Sequence, residues 1–357
     1  MTAKGTAVSA KRSLAARWFE PKSIRQMAPA TAIVVYALLI VWAIFVLFPL
    51  YWVLITSIKL PADVNAGPVY LPWIDFTPSL HAWRNLFVDR FEDTLRAYLN
   101  SIIIALCATA LCVTIGSMAA YALGRFRYKP KFGVIAIFIL CMVAASIAVA
   151  RWGVDWRLSL AVALALFFFL ARALGRYFKG SLENSDILFW MISQRILPPI
   201  VSIIPIYMMF QTVHLLDTHL AQILTYTVVN LPIAVWLVHD FLLTIPTDLD
   251  ESAQLDGASR IRTFLEIILP LAKPGLAATT LLVLILCWNE YLLSLFLSTS
   301  KAQTMPILVA AMNAGERGVL WWTMSVVIVI MIVPVVLMAL VLQRFIAKGI
   351  LLGALKG

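Results

Sequence analysis

Residues 245–274 read IPTDLDESAQLDGASRIRTFLEIILPLAKP, a polar interruption in a chain otherwise made of long apolar blocks. Thr247 and Asp248 carry side-chain oxygens that can bond the free N–H groups of a helix start, which predicts a short helix through Leu255. Gly257 stands where a helix end needs a left-handed residue without a Cβ. Ser259 is placed to cap a second helix, with Ile261, Phe264, Leu265 and Ile268 on one apolar side. Pro270 and Pro274 bracket the return into apolar text. Read by itself, the stretch is an amphipathic loop, a knob of two short helices, and lying on the membrane surface is its plainest reading.

The text around it is that of a membrane protein. Of 357 residues, 62% are hydrophobic and only 13% charged, whereas a soluble domain is about a quarter charged. Apolar runs at 30–58, 98–123, 133–150, 158–174, 187–211, 220–243, 276–298 and 322–342 predict eight helical spans, since crossing the hydrocarbon takes about 20 residues and lipid offers the backbone no partners. The first run is longer than a signal-peptide core and reads as a retained anchor. With the N-terminus inside, 19 Lys and Arg fall in inside segments and eight in outside ones. That asymmetry places both termini in the cytoplasm and the 245–274 stretch on the cytoplasmic face.

The third and fourth spans, within 133–174, read as an insertion, with a chance likeness of two basic cytoplasmic loops as the alternative. The text before them, Leu123-Gly124-Arg125-Phe126-Arg127-Tyr128-Lys129, resembles the text after them, Leu174-Gly175-Arg176-Tyr177-Phe178-Lys179. An inserted pair returns the chain to the side it left. The expected architecture is therefore all-α and integral to the membrane, a six-span core plus two added spans.

Several function classes find little support in these residues, and a self-sufficient ion-driven secondary transporter stands as the runner-up reading. The net charge of +10 comes from basic residues in short inter-span segments, not from a basic-aromatic patch of the kind that grips nucleic acid. Cys107, Cys112, Cys141 and Cys287 fall within apolar blocks, and His81, His214, His219 and His239 are scattered without ligand spacing, so no metal site is expected. No G-x-x-x-x-G-K-[ST] loop is present to cradle a nucleotide phosphate. An ion-driven secondary transporter would show two repeat halves and intramembrane relays, and only Arg195 and Glu290 lie deep. A membrane-embedded enzyme would cluster its acids or histidines, and this chain does not.

The 245–274 stretch resembles the EAA signature of binding-protein-dependent ABC importer permeases. The matching residues are Glu251, Ala253, Asp256, Gly257, Ala258, Phe264, Pro270 and Pro274, with Ser252 in place of the usual alanine. Trp288-Asn289-Glu290-Tyr291, Thr304-Met305-Pro306-Ile307 and the terminal Gly353-Ala354-Leu355-Lys356-Gly357 are similar to segments of the carbohydrate branch, the maltose-permease G-type subunits. The likeness covers roughly 30–130 and 187–357. It implies a type I ABC importer transmembrane fold in a prokaryotic inner membrane. The layout would be a cytoplasmic tail (1–29), a first span (30–58), a periplasmic loop (59–97), a transmembrane domain (98–346) holding the coupling loop (244–275), and a C-terminal tail (347–357).

The same resemblance implies partners and roles. The partners are a second homologous permease, a dimer of ATP-binding subunits that holds ATP and Mg, an extracytoplasmic solute-binding protein, and membrane lipid. No cofactor is expected on this chain and no enzymatic activity of its own. Glu251, Ser252, Ala253, Asp256, Gly257, Ala258 and Arg260 would dock the ATPase. Residues from Asn313 through Gly315 and Glu316 to Arg317 would reach the binding protein, as the equivalent loop does in the maltose system.

For the solute path, Gln222, Tyr226 and Asn230 recur every four residues and share a helix face. Asn289 and Glu290 lie beyond the middle of the seventh span. Gln194 and Arg195 precede Pro198-Pro199 in the fifth. Such groups either line a path suited to sugar hydroxyls or hold helices together by hydrogen bonding, and the sequence leaves both readings open.

Overall fold

The computed structural model describes residues 18–19, 27–313 and 319–354, the side chains of residues 342 and 344–354 excepted. Regular structure among the described residues is helical apart from two isolated β-bridges. The chain divides into two compact units. One holds Met1–Arg90 with Met312–Ile330, the other Phe91–Ala311 with Met331–Gly357.

In the first unit, α1 (Pro29–Thr56) exposes its apolar side chains over nearly its whole length, as a helix bathed in lipid does. Lys59 follows it. Its Nζ donates to the Val69 carbonyl at 2.6 Å and lies over the rings of Trp52 (4.7 Å) and Phe76 (5.1 Å), which anchors the start of the 59–97 loop.

The second unit is built on α2 (Phe91–Arg125). Next come α3 (Phe132–Trp152) and α4 (Trp156–Leu174), then α5 (Asn184–Ser193), α6 (Pro199–Thr212) and α7 (His219–Leu242). After the knob helix α8 (Asp248–Leu255) come α9 (Lys273–Trp288), α10 (Leu292–Leu297) and α11 (Met305–Asn313). The last helix, α12 (Trp321–Ala354), runs on through most of the expected 347–357 tail.

Small residues explain why α2 and α7 form the centre. Ala97, Ser101, Ala105, Ala108, Cys112, Gly116 and Ala120 recur every three or four residues on the buried face of α2. In a membrane, where apolar side chains gain nothing by leaving lipid, close backbone approach is what brings helices together. At Gly116 a Cβ would stand only 3.1 Å from the Ala234 Cβ of α7. α9 completes the core through Val283, Leu284, Cys287 and Trp288, whose Nε1 donates to the Met331 carbonyl of α12 at 3.1 Å.

Among the described residues six helices are long and apolar enough to span, and two bent pairs, Asn184–Ile196 with Pro199–Thr212 and Arg260–Leu271 with Lys273–Trp288, bring the number to as many as eight. The fourth expected span, short in the sequence, stands as a full helix over Trp156–Tyr177. Two spans expected to be continuous are not. The run 187–211 breaks at Leu197–Pro198, where the axes of its halves differ by 91°. Pro198 and Pro199 lack the N–H groups that would carry the ladder across, which is the physical reason. The run 276–298 breaks at Asn289–Tyr291 between α9 and α10. Pro232, by contrast, sits within an unbroken α7.

α3 and α4 pack on each other through Ile137, Cys141 and Ala163. Their entry and exit pair like two short strands: Phe132 N donates to Gly180 O (3.1 Å) and Leu182 N to Pro130 O (2.9 Å), about the Lys131–Ser181 bridge. At this neck a Cβ on Gly133 would fall 2.1 Å from the Phe178 ring, so any larger residue would displace that ring.

Candidate functional site

The knob has the predicted helix–turn–helix design, with corrections at its first cap and along its apolar stripe. Helix α8 covers Asp248–Leu255, and Gly257 takes φ +84°, the left-handed backbone a helix exit uses. Its neighbour closes the turn, Ala258 N donating to Ala253 O at 2.9 Å. Ser259 Oγ caps the next turn by accepting from Arg262 N at 3.3 Å. Thr247, however, makes no side-chain cap, because its own backbone is already helical. Residues Thr263–Ile268 form a π-helical turn.

Burial sorts the knob into an anchored side and an open side. Ala253, Thr263, Phe264 and Ile268 are buried. Glu251, Ser252, Asp256, Gly257 and Arg260 are exposed, and Ala258 is half-buried. The expected apolar stripe is split: Phe264 and Ile268 face the protein, whereas Ile261 (73% exposed) and Leu265 (52%) face away, beside Leu255 (89%). The exposed residues of the knob therefore include the carboxylates of Asp248, Glu251, Asp256 and Glu266 and the aliphatic side chains of Leu255, Ile261 and Leu265. Arg260 does not extend freely from it, because its guanidinium lies 4.6 Å over the Phe126 ring.

What anchors the knob is a set of residues the sequence reading passed over. Asp250 is buried. Its Oδ1 accepts from Tyr121 Oη at 2.7 Å, and its Oδ2 pairs with Arg125 Nε at 2.9 Å, an electrostatic contact without hydrogen-bond alignment. Arg125 Nη2 donates to Ile245 O at 2.9 Å, where the chain enters the knob. Both charged side chains are less than a tenth exposed. The Tyr121 ring packs on Phe264 at 4.9 Å between centroids. Next to it, Asn184 Nδ2 donates to the carbonyls of Leu123 and Phe126, both at 2.6 Å, and fixes the end of α2. The only sequence sign was Tyr121 and Arg125 one turn apart at the end of a span.

At the opposite end of α7 a second site is built around one carboxylate. Asp217, with φ +59°, accepts from the backbone N–H groups of Thr299, Ser300, Lys301 and Ala302 at 2.9–3.2 Å. Burial pushes this carboxyl up, but the four donated bonds outweigh it and hold it at about 2. Asn100 Nδ2 donates to Lys301 O and Gln303 O, and Gln222 Nε2 to Ala302 O, so the 299–304 loop is gripped from α2 and α7 at once.

The polar residues inside the spans separate into two groups. Gln222, Tyr226 and Asn230 are buried and bonded inside the subunit: Ser294 Oγ donates to Gln222 Oε1 at 3.1 Å, Tyr226 Oη reaches Glu290 O at 3.4 Å, and Asn230 Nδ2 donates to Tyr226 O at 2.9 Å. Gln194, Arg195 and Asn289 are exposed, and Glu290 is half-buried with Oε1 accepting from Leu293 N at 3.0 Å. Asn313 ends α11 and is exposed, whereas Gly315, Glu316 and Arg317 lie outside the described residues. Among the described residues no group of His, Cys, Asp and Glu has the geometry to hold a metal.

Residues 113–352 match the family of binding-protein-dependent transport system inner membrane components. Over 324 residues the chain is 31% identical to the trehalose/maltose transport system permease protein MalG of Thermococcus litoralis, covering 89% of this chain and 94% of that one. It is 28% identical to the sulfoquinovosyl glycerol transport system permease protein SmoH of Agrobacterium fabrum, covering 87% and 89%. Among solved structures, a chain of a bacterial ABC transporter involved in the import of the acidic polysaccharide alginate superposes with a TM-score of 0.58 at 20% identity, covering 88% of this chain and 96% of that one.

Proposed function

Because the chain belongs to the binding-protein-dependent transport system inner membrane components and carries their type I importer transmembrane fold, we propose that it forms half of an ATP-driven import path for a carbohydrate-type solute. Its multi-pass helices sit in the inner membrane. Its partners are a second, homologous permease, a dimer of ATP-binding subunits and an extracytoplasmic solute-binding protein. ATP and Mg are held by the ATP-binding subunits. This chain performs no chemistry and transmits motion.

The observation that carries this reading is the knob itself. A rigid body with one side locked by Asp250, Tyr121, Arg125 and Phe264 leaves the other side open with Glu251, Asp256, Leu255, Ile261 and Leu265. An uncovered apolar patch rimmed by charge suits a protein partner. A locked knob passes rigid-body motion of that partner into α2, α7 and α9 without absorbing it. Both termini would then lie on the cytoplasmic side with the knob, and the Asp217-held 299–304 loop would face the binding protein. The carbohydrate class is supported by the relatives, which are permeases for trehalose/maltose and for sulfoquinovosyl glycerol.

The test is reconstitution. Liposomes holding all four kinds of component should take up a labelled glycoside only with ATP and the binding protein present. Uptake against a gradient by this polypeptide alone would refute the assignment.

A further inference from the structure

A cation inside a membrane span is expensive unless it faces protein or water. Arg195 occupies such a place. α5 ends at Ser193, a tight turn covers Gln194–Ile196, and α6 departs from Pro199 after the 91° bend. The depth of this break follows from Asn230, whose Oδ1 accepts from Arg195 Nη2 at 3.2 Å. Asn230 lies 11 residues after His219 and 12 before Leu242, the two ends of α7. At 1.5 Å per residue that is about 17 Å from either end, the middle of the hydrocarbon.

The subunit covers neither the guanidinium nor the break. Arg195 and Gln194 are exposed, and Ile196 and Leu197 are 79% and 63% exposed. Non-helical backbone at this depth persists only where it is buried in protein or lines a water-filled cavity. A guanidinium has five N–H donors, and the bond to Asn230 accounts for one. Asn230 also connects the break to a second one: its Nδ2 reaches Cys287 Sγ at 3.5 Å, and two residues on, α9 ends at the exposed Asn289 and half-buried Glu290. Asn230, itself buried, thus links the two helix breaks by touching Arg195 on one side and Cys287 on the other.

We propose that Arg195 lines the water-filled solute path at the middle of the bilayer, where its free N–H groups face the oxygens of the passing solute. This deepens the permease reading and rests on it. Asn230 is the positioning residue, its Oδ1 holding the guanidinium while its Nδ2 is fixed to the helix. Gln194 and Asn289 share the path, whereas the buried Gln222 and Tyr226 support it from behind.

The experiment uses membrane vesicles containing the complete transporter in a background where the exposed Cys107 is serine. Arg195→Cys, Gln194→Cys and, as a lipid-facing reference, Val143→Cys are each treated with a membrane-impermeant cationic methanethiosulfonate, without nucleotide and after trapping with ATP and vanadate. In at least one state, Arg195→Cys and Gln194→Cys are expected to react about a hundredfold faster than Val143→Cys, because a cationic reagent enters hydrocarbon poorly. If both react as slowly as Val143→Cys in both states, yet react after denaturation, the break is sealed by the second permease and the inference fails. Gln194→Cys keeps the test alive if loss of Arg195 prevents folding. Copurification of the unmodified chain with the ATP-binding subunits tests the permease reading separately, so the two failures are told apart.

Discussion

Asp250 shows how much one side chain decides here. Its partner Arg125 has only 6% of its side chain exposed. Removing the carboxylate strands a buried cation, which costs about 3–5 kcal/mol. Asp250→Ala is therefore expected to lower the thermal midpoint of the purified complex and reduce ATP-driven uptake, while Asp250→Asn, which keeps an acceptor for Tyr121, does less harm. The double variant Arg125→Met with Asp250→Leu should regain much of the lost stability, because replacing both ions avoids the stranded charge. If the double variant is no better than Asp250→Ala, the ion pair is not what matters. Asp217 makes a prediction in pH. Its folded pKa of about 2 lies below its ordinary 3.8, so the stability it adds is fully present above about pH 4 and is lost as the pH falls through about 2. The stability gap between the wild type and Asp217→Asn should narrow over that window, and a gap independent of pH would refute the clamp.

At the scale of elements the knob invites a graded test at Gly257. A Cβ there would meet nothing within 4 Å, so crowding is not the constraint. The constraint is φ +84°, and an L side chain in left-handed backbone costs roughly 1–2 kcal/mol, less for asparagine. Gly257→Val is expected to insert normally but to hydrolyse ATP without uptake, with Gly257→Asn between it and the wild type. Equal behaviour of the two variants would show that the left-handed turn is not what positions the knob. The knob was legible because its signals are local: a glycine after a polar helix, a serine cap, two prolines. Its anchor was not, because Arg125 and Asp250 stand far apart in the chain and meet only when α7 packs on α2. The break at Leu197–Pro198 lay between, since the proline pair was visible but a run apolar throughout reads as one crossing. The same limit applied to Gln222, Tyr226 and Asn230, whose four-residue spacing showed a shared face but not that the face turns inward.

The whole molecule poses the question of the added pair, α3 and α4. The similar Leu-Gly-Arg text before and after it suggested an insertion, and the structure brings its two ends together at a neck where Leu182 N donates to Pro130 O at 2.9 Å. Three observations make the pair separable. It has its own small core around Ile137, Cys141 and Ala163. Its two ends meet, Phe132 N donating to Gly180 O at 3.1 Å, so the chain leaves the pair where it entered. The α2–α5 junction is held without it, through Asn184 on the carbonyls of Leu123 and Phe126 and on Tyr128 N at 2.9 Å. Deleting residues 131–181 and joining Pro130 to Leu182 through two glycines is therefore expected to leave insertion, assembly with the ATP-binding subunits and ATP-driven uptake in place. Uptake by the shortened transporter in vesicles is the measurement. A shortened chain that inserts and folds but no longer copurifies with the second permease would instead make the pair's exposed apolar flanks an assembly surface, and the two results point to opposite origins for the same hairpin.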